Sequence, residues 1–75
     1  MVFETVRAML AECLGCEESR IKERTIILED LEATPEDLAE VLMGAEEEFG
    51  VSFPDDATSR IRTVGELVRY IEEQM

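Results

Sequence analysis

Apolar residues recur at three- and four-residue steps through Phe3, Val6, Leu10, Cys13 and Leu14. That is the spacing of one face of an α-helix, and it predicts a first helix over Val2–Leu14. Gly15 follows the last of these positions, where a left-handed C-terminal cap is expected. The stretch from Cys16 to Ala33 has no such period but carries Ile21, Ile26, Ile27, Leu28 and Leu31. A connection this long with this many apolar anchors is expected to pack as a structured loop. Helical spacing resumes at Leu38, Val41, Leu42, Ala45 and Phe49, with Glu36, Asp37, Glu40, Glu46, Glu47 and Glu48 largely off that stripe. Thr34 suits the N-cap of this second helix, Pro35 its first turn, and Gly50 its end. Glu36 and Asp37 complement the positive end of its dipole.

After the turn at Phe53-Pro54, Asp55 or Asp56 is expected to cap a short helical turn through Arg60. Thr63 with Glu66 three residues later forms a capping box for a last helix. Its stripe is Val64, Leu67, Val68 and Ile71, and it is predicted to run to about Glu73. Alternating strand patterns never persist. The expected fold is therefore all-α, three main helices and one short one, in a single domain over residues 1–75.

Composition narrows the functions open to such a bundle. A domain of 75 residues has little interior for a large catalytic cleft. It has no histidine, the commonest general base and metal ligand, so an enzyme is not expected. The net charge is −12, and no basic residue lies between Arg24 and Arg60. A field of this sign repels phosphate backbones and anionic headgroups, which argues against nucleic acid and membrane partners. It attracts a basic protein surface. The N-terminal stretch has neither a basic lead nor an unbroken apolar run, and no segment approaches the ~20 apolar residues of a membrane span. A cytoplasmic monomer is expected.

Three blocks in register, over nearly the whole chain, resemble one known family. Ile27-Leu28-Glu29-Asp30-Leu31 is similar to that family's lead into its second helix. Glu40-Val41-Leu42-Met43-Gly44-Ala45-Glu46-Glu47-Glu48-Phe49, followed by Phe53-Pro54-Asp55, resembles its acidic second helix and the turn that follows. Ile61-Arg62-Thr63-Val64-Gly65-Glu66-Leu67-Val68-Arg69-Tyr70-Ile71 is close to its ending. That family is the acyl carrier proteins, and the resemblance implies an acyl-carrier-protein-like bundle with a long structured loop between its first two main helices.

The resemblance also implies a role for the acidic helix. In the family its acids dock on basic patches of partner enzymes. Carried over by position, that role falls to Glu36, Asp37, Glu40, Glu46 and Glu47, with Met43 as an apolar contact. Asp37, Glu40, Met43, Glu46, Glu47 and Glu48 match the family's residue types, whereas Glu36 replaces an apolar residue. Two further departures adjoin it: Thr34 replaces an aspartate and Glu32 a glycine.

The largest departure is Pro35. In the family this position is a serine whose hydroxyl carries 4'-phosphopantetheine, and proline has no hydroxyl to phosphorylate. The expected function is a carrier-like acidic module that docks on a basic biosynthetic enzyme, in acyl or fatty-acid metabolism or a related pathway, without the arm and with no other cofactor. The alternative is a genuine carrier loaded at another residue.

A different reading starts from Cys13-Leu14-Gly15-Cys16, a Cys-x-x-Cys spacing that would suit a small redox or metal protein. The pair straddles a helix C-terminus, where the dipole disfavours a thiolate. No second Cys or His pair exists to complete a zinc set. Packing is the expectation for both thiols, with Met9 in the core and Met43 exposed. Glu46-Glu47-Glu48 lacks the spaced oxygens and glycine of a calcium loop, so no metal site is expected there.

Overall fold

The computed structural model describes residues 2–75. The long helices are α1 (Val2–Leu14), α3 (Pro35–Phe49) and α5 (Val64–Gln74), with four-residue helices α2 (Ile27–Asp30) and α4 (Ala57–Arg60) between them. A 3₁₀ turn at Glu18–Arg20 also interrupts the first connection. α1 lies against both α3 and α5, while α2 and α4 flank α3.

The helical stripes meet in one core. Leu10, Leu38, Leu67 and Ile71 are fully buried, together with Ile21 and Ile27 from the long connection. Burying such side chains contributes about 1.5–3 kcal/mol each before conformational entropy is counted. Gly15 and Gly50 close α1 and α3 with φ of 70° and 68°, the left-handed geometry that glycine adopts without strain. Met9 packs half-buried against the core beneath Gly44, where an added Cβ would come within 2.9 Å of the Met9 Cε.

The connection expected as a loop is more regular than its pattern suggests. Backbone bonds tie it to the start of α5: Ile27 N–H donates to Arg62 O, Val64 N–H to Thr25 O and Gly65 N–H to Glu23 O. An isolated antiparallel bridge between Ile26 and Thr63 lies in the same place. Thr25 is buried there, and its Oγ1 accepts the Lys22 N–H at 2.8 Å. Gly65 is required by the close approach, since a Cβ would sit 3.0 Å from the Glu23 carbonyl oxygen. α2 forms where Ile27 is anchored in the core and the Asp30 carboxylate accepts the Ile26 N–H at 2.9 Å.

The expected carboxylate cap on the short helix is not made. Asp56 holds the N-cap position of α4, but with φ −94° and ψ 15° its side chain makes no cap bond. An N-cap side chain normally reaches its N–H from extended backbone. The Asp56 carbonyl accepts from Ser59 N and Oγ instead, and the carboxylate lies 3.9 Å from Arg60. α5 begins with the expected capping box and runs one residue past Glu73.

Candidate docking face and the start of helix α3

The start of α3 is fixed by a reciprocal pair of bonds. Thr34 is extended, with φ −95° and ψ 161°, and its Oγ1 accepts the Asp37 N–H at 3.1 Å. The Asp37 carboxylate accepts the Thr34 N–H in return, also at 3.1 Å. Pro35 occupies the first turn, where its missing N–H leaves nothing unsatisfied. Sequence reasoning identified Thr34 as the cap and assigned Asp37 to the dipole and the docking face, not to the box. The Thr-x-x-Asp spacing was the signal for Asp37's share of the box.

This start offers a poor foothold for an ester-linked arm. Pro35 has no hydroxyl, and the neighbouring Thr34 oxygen is engaged by the backbone of α3. Ser52 and Ser59, the serines that follow α3, lie beyond its far end and in α4.

Along α3 the six residues carried over from the acyl carrier resemblance divide into two groups. Glu36, Glu40, Met43 and Glu47 are exposed, Met43 at 62%. Asp37 and Glu46 are half-buried and already engaged, Asp37 in the capping box and Glu46 as acceptor for the Phe53 N–H at 2.8 Å. Glu46 thereby holds the turn after α3, and sequence reasoning had no signal for that bond. Beside Met43 an open groove of about 270 Å³ runs between α3 and α4, floored by Leu42, Phe53 and Pro54 and edged by Glu46 and Asp55.

Among the described residues, no Lys or Arg pairs with an acid of α3. The ion pairs are Arg7–Glu18, Arg60–Asp56 and Arg62–Glu29. Six acids on one helix thus repel one another without compensation from their own chain.

The two cysteines part company. Cys16 is half-buried against the core, as a packing residue should be. Cys13 is exposed, which corrects its expected burial. Val6 and Leu10 take the centre of the α1 stripe, while Cys13 lies in the last turn with its Sγ 3.9 Å from the Asp37 carbonyl oxygen at the start of α3. Partial desolvation there raises its pKa, and the negative charges of Glu40 and Asp37 raise it further. That shift opposes the thiolate a redox site needs.

Among the described residues no helix is long and apolar enough to cross a membrane. Residues 4–71 match the family described as phosphopantetheine attachment site, a span that takes in most of α1, all of α3 and most of α5. With its helical bundle and acidic central helix, the chain belongs to the phosphopantetheine-attachment family, that of the acyl carrier proteins.

Proposed function

We propose that the chain is a non-catalytic carrier-type module that docks through α3 on a basic surface of an enzyme of acyl or related biosynthesis. In this reading it works as a cytoplasmic monomer and carries no phosphopantetheine arm. The observation that carries the proposal is the uncompensated acidity of α3 around an exposed methionine. Exposed acids that merely keep a small domain soluble need no such segregation, and mixed charges would serve with less repulsion. A partner bearing Lys and Arg relieves the repulsion and gains a faster encounter, while Met43 and its groove supply apolar contact.

Docking is tested with residues that do no structural work. Reversing Glu36 and Glu47 to Lys should slow association with an acyl-processing enzyme about tenfold or more at low salt. Added salt should produce the same slowing in the parent chain. Asp37 and Glu46 are unsuited to this test, since their reversal also removes a cap and a loop bond. Binding that is indifferent to both reversal and salt removes α3 as the docking face.

The absence of an arm is a separate test. A phosphopantetheinyl transferase supplied with coenzyme A should leave the intact mass unchanged. A phosphopantetheine adduct would instead establish a genuine carrier loaded at another residue, and peptide mapping would locate it. Pro35→Ser alone should load poorly, because Thr34 and Glu36 also depart from the family's attachment motif.

A further inference from the structure

The exposure of Cys13 brings together three side chains that the sequence separates. Its Sγ and a carboxylate oxygen each from Asp37 and Glu40 lie within 4.8 Å of one another. Cys13 comes from the last turn of α1, and the two acids stand three residues apart on the first turns of α3. Asp37 uses one carboxylate oxygen to accept the Thr34 N–H, which leaves the other available. The thiol's hydrogen bond to the Asp37 carbonyl oxygen is long, at 3.9 Å. Cys16 is not a member of this group.

We propose that Cys13, Asp37 and Glu40 form a three-donor site for a thiophilic divalent cation of the zinc class, bridging α1 and α3. The donor set suits such an ion: one soft sulfur and two carboxylate oxygens, with water completing a tetrahedron. Metal–ligand bonds of about 2.0–2.3 Å place tetrahedral donors about 3.5 Å apart. The three side chains are exposed or half-buried, which leaves them room to rotate toward one ion. On binding, the thiol proton is released to solvent and a metal–sulfur bond replaces the S–H bond. Hard cations such as magnesium and calcium prefer oxygen alone and gain nothing from the sulfur. The cysteine pair of the alternative Cys-x-x-Cys reading is thereby replaced by a cysteine and two acids across a helix interface.

The sulfur gives the test its signature. Titrating the reduced full chain with cobalt(II) should produce a near-ultraviolet sulfur-to-metal charge-transfer band that zinc then displaces. Cys13→Ser should abolish the band, and Cys16→Ser should leave it intact. Asp37→Asn and Glu40→Gln should each weaken zinc binding on the order of tenfold or more, with helix content checked by circular dichroism. Zinc should also slow the reaction of Cys13 with a thiol reagent and leave that of Cys16 unchanged. Loss of the band in Cys16→Ser would assign the metal to the cysteine pair and overturn the proposal. So would cobalt binding without a sulfur band, or zinc affinity unchanged in Cys13→Ser, since either result describes an ion held loosely by acids alone.

Discussion

Glu32 has a backbone suited to another residue. Its φ of 55° is left-handed, a conformation that costs an L side chain about 1–2 kcal/mol. Part of that cost returns if glycine is installed, although glycine loses more entropy on folding, about 0.5–1 kcal/mol. Glu32→Gly should therefore stabilise the fold by a few tenths to about 1 kcal/mol, read as a melting midpoint a few degrees higher. An unchanged or lower midpoint would mean that the Glu32 side chain makes up for its own strain. The sequence placed this residue at a family glycine, so the oddity was legible; its geometry was not. Cys13 is the opposite case. A helical stripe identifies which face turns inward, but it cannot say where along that face the neighbouring helices stop. Only the placement of α3 decides that Cys13 lies beyond the buried part.

At the scale of elements, local chemistry predicted what local chemistry holds. Both ends of α3 and the start of α5 are set by residues a few positions apart, and these boundaries were readable from Thr34, Gly50, Thr63 and Glu66. α2 and its approach were not, because their bonds run to Arg62, Thr63 and Gly65, far along the chain. The α5 box also has a pH dependence of definite sign. The Glu66 carboxylate accepts the Thr63 N–H at 2.9 Å and the Arg62 N–H at 2.8 Å, and these bonds hold its pKa below the ordinary range. A lowered folded value means that its contribution is complete above the unfolded value of about 4.3 and lost as pH falls through the lower folded one. Glu66→Gln should then be less stable than the parent at pH 7, with the gap narrowing toward pH 3 in urea titrations. An equal gap at both pH values would show that the charge of Glu66 contributes nothing to the cap.

For the molecule as a whole, the charge pattern was plain in the sequence and the division of labour within it was not. Counting acids on α3 gives a face; hydrogen bonds separate Glu36 and Glu47, free for a partner, from Asp37 and Glu46, which hold the helix and its exit. The strap between residues 23–27 and the start of α5 has a consequence for how the domain opens. The Ile27, Val64 and Gly65 amides donate in bonds that cross between two distant stretches, so a full opening must part both. Hydrogen exchange should find these three amides opening as one unit, at nearly the same free energy and well above their exposed neighbours. If Gly65 exchanges much faster than Ile27, the strap frays bond by bond. If they exchange together, the acidic helix between them is carried by a closed ring of chain, and the strap sets the slowest local motion that ring allows.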